Sequence, residues 1–203
     1  MEQLTNQATL RGSLLCLPEF SHENHGKQFY RFFLEVPRLS GAVDILPVIT
    51  DSRILDSFDL TAGEMLTVTG QVRSHNINTD EKRRLLVFVF AVSITAEDGE
   101  PINEVVVEGP VCREPTYRRT PLGRQICDIM LAVPRPFRRA DYLPCILWGR
   151  TAQDGAQLHT RDRIRITGRL QSRIYTKVTD QGAEERTTYE ISALSAERSE
   201  TLP

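Results

Sequence analysis

Shifting the chain by 97 residues lays it on itself, and what coincides is mostly glycine, proline and polar turn residues. Asn6 falls on Asn103, Gly12 on Gly109, Pro18 on Pro115 and Gly26 on Gly123. Leu34 falls on Leu131, Val36-Pro37-Arg38 on Val133-Pro134-Arg135, Asp44 on Asp141, Pro47 on Pro144 and Ile49 on Ile146. One inserted residue later, Gly70 falls on Gly168 and Ser74 on Ser172. Glycine and proline fix special backbone positions, so their agreement at one offset marks a repeated folding unit. Residues 95–104, TAEDGEPINE, have the polar, Gly- and Pro-containing composition of a linker. The expectation is two domains, residues 1–101 and 102–203.

Each copy reads as strands. In the second, NEVVVEGPV, GRQICDIMLAV, DYLPCILWG, DRIRITGRLQSRIY and RTTYEISAL are β-branched or alternating runs bounded by Gly, Pro or Asp. The first copy has the same plan, and between its third and fourth runs, as in the second, lies the one stretch suited to a short helix: DSRILDSFDL and RTAQDGAQLHT. Five strands with a helix after the third is the order of the OB-fold, so an all-β chain of two tandem OB-folds is expected. Gly70 and Gly168, inside the fourth runs, predict a bulge or sharp bend that lets a small barrel close.

Composition narrows the function classes. The net charge of −2 hides a split: residues 1–101 hold 9 Lys+Arg against 14 Asp+Glu, residues 102–203 hold 16 against 13. A basic second half suits a polyanion. The four cysteines form no CxxC pair and read as reduced thiols rather than a metal site or disulfide framework. Without a signal-peptide pattern or a membrane-length apolar run, a cytoplasmic protein that does not enter membranes is expected. HENH (residues 22–25) reads as a surface loop rather than a metal site. No nucleophile elbow, phosphate-binding glycine loop or Ser/His/Asp pattern stands out, so neither an enzyme nor a cofactor is expected.

Nucleic-acid binding has positive support. Single-strand binding needs cations along the phosphates and aromatic faces for unstacked bases. The second copy interleaves both in LAVPRPFRRADY, with Arg135, Phe137, Arg138, Arg139 and Tyr142, followed by Trp148. Strand alternation puts Tyr142, Pro144, Ile146 and Trp148 on one face. It likewise joins Arg169, Gln171, Arg173 and Tyr175. Trp148 has two readings, a stacking ring or a plug at the barrel end.

These residues carry a resemblance. NEVVVEGPV, RRT with Gly123, LAVPRPFRR, YLPCILWG and GRLQSRIY, in this order, are similar to the bacterial single-stranded DNA-binding protein family over about residues 102–196. The resemblance implies an OB-fold with a single-strand groove, aromatic stacking sites at Phe137, Tyr142, Trp148 and Tyr175, and basic contacts including Arg169 and Arg173. The first copy departs from this pattern. It has Ser40, Ile45, Asp51 and Ile77 at the aromatic positions, and Gln71 and His75 at the basic ones. Its Phe29, Tyr30, Phe32 and Phe33 read as core or interface. The chain also ends SAERSETLP, without the acidic tip through which the family recruits partners, which puts tail-dependent recruitment in doubt.

The expected function is sequence-independent binding of single-stranded DNA, mainly by the second domain, in replication, repair or recombination. A homodimer would supply the four OB-folds that the family gathers. The alternative is an OB-fold interaction module serving replication or a mobile element. RNA binding stays open, since stacking and phosphate contacts do not distinguish the sugars.

Overall fold

The computed structural model describes residues 5–79, 82–179 and 182–199. The first half runs β1 (Asn6–Leu14), β2 (Glu19–Asn24), β3 (Lys27–Pro37), β4 (Val43–Asp51), α1 (Ser52–Leu55), β5 (Met65–Thr79) and β6 (Lys82–Ala96). The second half repeats the order as β7 (Ile102–Pro110), β8 (Thr116–Arg119), β9 (Gln125–Arg135), β10 (Arg139–Trp148), α2 (Gly149–Gly155), β11 (Arg163–Thr179) and β12 (Gly182–Arg198). The chain is all-β and built as two tandem OB-folds, each with its helix after the β4 or β10 strand. The five expected runs are present in both halves. A short extra strand, β2 or β8, occupies what reads from sequence as loop, so His22 lies on a strand rather than in a loop.

Alternation produces the barrels. On β1, Ala8, Leu10, Gly12 and Leu14 are buried, while Gln7, Thr9, Arg11 and Ser13 between them are not. On β3 the buried set is Phe32, Leu34 and Val36. Removing such a side chain from water contributes roughly 1.5–3 kcal/mol for each fully buried Leu, Val or Phe. Closure needs a parallel contact between non-consecutive strands: Val48↔Val89 and Ile49↔Phe90 in the first half, Cys145↔Ile191 and Ile146↔Ser192 in the second. The predicted bulges lie at Thr69/Gly70 and Thr167/Gly168. A Cβ at either glycine would collide with the facing carbonyl, of Phe90 or Ser192, so glycine there is a steric requirement.

The halves are joined by β1 and β7, antiparallel from Asn6↔Val107 to Arg11↔Ile102. The ladder centres on Ala8↔Val105, which are equivalent residues 97 apart. The strand order β2-β3-β4-β6-β5-β1-β7-β11-β12-β10-β9-β8 reads the same from either end in the repeat's own terms. The two copies are therefore related by an approximate two-fold through the middle of the sheet.

The repeated polar residues lock this arrangement. Within each half, Asn6 exchanges two hydrogen bonds with the backbone of Val72, and Asn103 does the same with Leu170. Between halves, the buried Asp44 carboxylate accepts from Ser172 N at 2.8 Å, and within its own half it accepts from Arg38 Nε at 2.7 Å. Arg38 Nη2 also donates to the Ser172 carbonyl. Reciprocally, Asp141 accepts from Ser74 N at 2.7 Å, and Tyr142 N donates to Ser74 Oγ at 2.8 Å. The Arg, Asp and Ser matches, read from sequence as signs of repetition, are thus parts of an interlock between the copies.

Candidate nucleic-acid interface

The β9–β10 hairpin carries the densest group of expected residues. Arg135 and Arg139 face each other across its last rung, leaving Pro136, Phe137 and Arg138 as the loop. Phe137 (φ 61°) and Arg138 (φ 55°) both lie in the left-handed region. For a residue with a Cβ this costs roughly 1–3 kcal/mol. The equivalent of Arg138 in the first half is Gly41 (φ 84°), which adopts that region freely. At this bend the Phe137 ring stands out in solvent, 93% exposed.

Behind the loop, β10 alternates. Asp141, Leu143, Cys145 and Leu147 are buried, whereas Tyr142 is 45% exposed, Pro144 half-buried and Trp148 half-buried at the strand end. Ile146 is the exception, buried although it shares the outer parity. Trp148 Nε1 donates to Ser192 Oγ at 3.0 Å, which orients the indole on the sheet. Sequence reasoning missed Ser192, because only the parallel closure of β10 on β12 brings the two together. The outer face continues onto β11, where Arg173 and Tyr175 are exposed and Arg169 is half-buried, its buried Nε without a hydrogen-bond partner among the described residues. Gln171 shares their face but is buried, donating to Glu190 Oε1 at 2.8 Å.

Not every expected cation is free. Arg135 meets Asp141 at 3.4 Å, and Arg173 meets the buried Glu190 at 3.9 Å. Both contacts are long, and Arg173 stays 55% exposed, so each guanidinium can reach a second anion. Arg138 and Arg139 project into solvent. Two further arginines, missed in the sequence because nothing local brings β8 and the segment before it to this face, are Arg113 and Arg118. They line a groove with Pro144 and Arg173. Arg118 donates to Asp128 at 2.6 Å, and that hydrogen bond raises its pKa above the ordinary arginine value.

The first half presents a different surface at the equivalent places. Asp51 stands where Trp148 does; it caps the N-terminus of α1, and hydrogen bonds from Arg53 hold its carboxylate pKa down to about 2. Phe32 is core, as expected, but Phe29 and Phe33 lie on the outer side of β3, and Arg31 sits over the Phe33 ring at 5.7 Å. Among the described residues no group of three or more His, Cys, Asp and Glu could hold a metal, and no helix is long and apolar enough to cross a membrane. Of the cysteines, Cys127 and Cys145 are buried, and burial pushes both thiol pKa values up; Cys16 and Cys112 are only partly covered.

The sequence and the fold both have counterparts among known proteins. The model of the single-strand binding protein family matches residues 102–199. The single-stranded DNA-binding protein B of Bacillus subtilis is 32% identical over 80 residues, covering 36% of this chain and 71% of that protein. That of Oceanobacillus iheyensis is 32% identical over 95 residues, covering 43% of this chain and 56% of its own length. The chain spans about half the length of most of the curated relatives it matches. Across both halves, the crystal structure of the wild-type single-stranded DNA binding protein from Thermus aquaticus superposes with a TM-score of 0.80, at 23% identity, over 98% of this chain and 94% of that one. At that identity the likeness speaks to the tandem fold alone. The family match on the second half and the Bacillus relative together establish that the chain belongs to the single-strand binding protein family.

Proposed function

We propose that the chain binds single-stranded DNA without sequence preference, chiefly through residues 102–203, by stacking bases on aromatic rings and pairing phosphates with arginines. The observation that carries this is the strained tip at Phe137 and Arg138: a ring 93% exposed, beside three arginines, on a backbone that resists the conformation. From there, Tyr142 and Trp148 along β10, and Arg169, Arg173 and Tyr175 on β11, offer a path of alternating rings and cations. The setting in this reading is cytoplasmic DNA metabolism. Residues 1–101 carry Ser40, Ile45, Asp51 and Ile77 at the positions where the second half has these rings.

Two chains together would surround a strand with four OB-folds. Val92 and Leu194, equivalent residues beside the two bulges, are 60% and 72% exposed and support a further contact on the outer sheet. Sedimentation should then give about twice 23.0 kDa, and a monomer at micromolar concentration would remove the dimer.

Trp148 is the one tryptophan, so its fluorescence reports the second half alone. Titration with oligo-dT at two salt concentrations should show saturable quenching and an affinity that falls with salt. Absence of both would favour the second reading, a protein-interaction module. What supports that reading is the aliphatic edge around the first interlock, where Leu15, Val43, Ile45 and Ile174 are 39% to 66% exposed.

A further inference from the structure

The first half has moved its aromatic rings rather than lost them. Sheet register makes Phe29, Asp51 and Phe90 the equivalents of Ile126, Trp148 and Ser192, since Phe29 pairs with Asp51 and Ile49 with Phe90 in one half, as Ile126 pairs with Trp148 and Ile146 with Ser192 in the other. One half carries a single ring on the middle strand. The other carries two rings on the strands to either side of it. Directly paired residues point to the same side of a sheet, so Phe29 and Phe90 share the outer face that Trp148 occupies in the second half.

These rings are organised. Phe29 and Phe90 lie 6.0 Å apart, and His22 on β2 stacks on Phe29 at 4.8 Å with the planes 12° apart. The Arg73 guanidinium lies over Phe90 at 5.0 Å. Phe29 and Phe90 are half-buried and His22 is exposed, so neither phenylalanine belongs to the barrel core. The nearby Asp51 is matched by Arg53 at 2.6 Å, which offsets a carboxylate that would repel a phosphate. Arg73 also marks the route out. Its neighbour Ser74 is bonded to Asp141 and to the backbone of Tyr142, and Arg135 lies close enough to depress the Arg73 pKa further after burial has done so. The ring series His22, Phe29, Phe90 and the cation Arg73 therefore end at the seam where the second half's Tyr142 begins.

We propose that this ring series is a second single-strand platform, and that a strand leaving Tyr142 crosses the Arg73–Ser74 seam and lays further bases on Phe90 and Phe29. The proposal rests on the reading above, and the experiment separates the two. The full chain and its Phe29→Leu/Phe90→Leu variant are titrated with dT oligomers of roughly 8 nucleotides, within the span of one OB-fold, and roughly 30. Trp148 quenching is followed, and ultraviolet cross-links are mapped by mass spectrometry. The long oligomer should cross-link to peptides of the first half and bind the variant roughly ten- to a hundredfold more weakly. The short oligomer, read through Trp148, should bind both proteins alike, and thermal melting followed by circular dichroism checks that the variant's first half is folded. Cross-links confined to residues 102–203, or a variant that binds the long oligomer like the parent, would overturn the platform while leaving the second-half site standing. If the unaltered chain binds neither oligomer, both readings fall.

Discussion

Asp44 and Asp141 hold the same place in the two halves, both fully buried, and both receive a serine N–H from across the two-fold. Their surroundings differ. Asp44 is gripped by Nε and Nη2 of Arg38, whose pKa is raised chiefly by that hydrogen bonding. Asp141 has one long contact to Arg135, and its Oδ2, like the neighbouring Arg73 Nε, is buried without a hydrogen-bond partner among the described residues. The tight interlock anchors the hairpin of the first half, whose turn uses glycine. The slack one anchors the strained hairpin with Phe137 and its arginines. Duplication thus allowed one copy to close its joint and the other to keep an arginine partly available beside the proposed groove.

Breaking the two joints should expose that difference most strongly. Asp44→Ala leaves Arg38 without its partner in a partly buried site and should lower stability by roughly 3–5 kcal/mol. Asp141→Ala removes fewer bonds and should lower it by roughly 1–3 kcal/mol. Chemical denaturation of the two variants measures both, and equal losses would abolish the distinction between a tight and a slack joint.

Phe137 tests the proposed groove itself. Phe137→Ala should weaken oligo-dT binding by roughly 1–3 kcal/mol, the worth of one stacked base, with the melting temperature unchanged. Trp148→Ala, which also leaves Ser192 Oγ without its indole donor, should reduce both binding and melting temperature. A Phe137 variant that melts lower would mean that the ring packs in solution.

A finer probe gives the second half the glycine of the first. Arg138→Gly relieves a left-handed arginine and should raise stability by up to about 1 kcal/mol. It should also make the salt dependence of binding shallower by roughly 0.7, the effect of one lost phosphate contact. A stability gain with an unchanged slope would remove Arg138 from the groove.

The smallest effect belongs to Asp51, where the first half has a carboxylate in place of the indole. Its folded pKa of about 2 lies below the ordinary value. The Arg53 pair therefore contributes above the unfolded pKa near 4 and is lost as pH falls through 2. Because Arg53 is 69% exposed, solvent screens most of this gain. Melting curves of the parent and Asp51→Asn from pH 7 to pH 2 should differ slightly at the upper end and converge at the lower. A gap that widens on acidification would contradict the pairing.

What could be read from residues alone was whatever is local or periodic. Alternation along β1, β3 and β10 identified strands and their inner sides because side chains on a strand repeat every second residue. Gly70 and Gly168 announced the bulges because only a missing Cβ fits under the facing carbonyl. Phe137 was legible as exposed because a proline-bounded loop of one ring and three arginines has no apolar face to bury. The partners of Asp44 and Asp141 were not legible. They lie 128 and 67 residues away, chosen by the two-fold that the β1–β7 ladder imposes. Nor was the fate of Phe29, His22 and Phe90, since parity tells which residues share a side but not which strands become neighbours. The parallel closure of β4 on β6, and the extra strand β2, brought those three rings together, and such pairings are decided by how the whole sheet closes on its core.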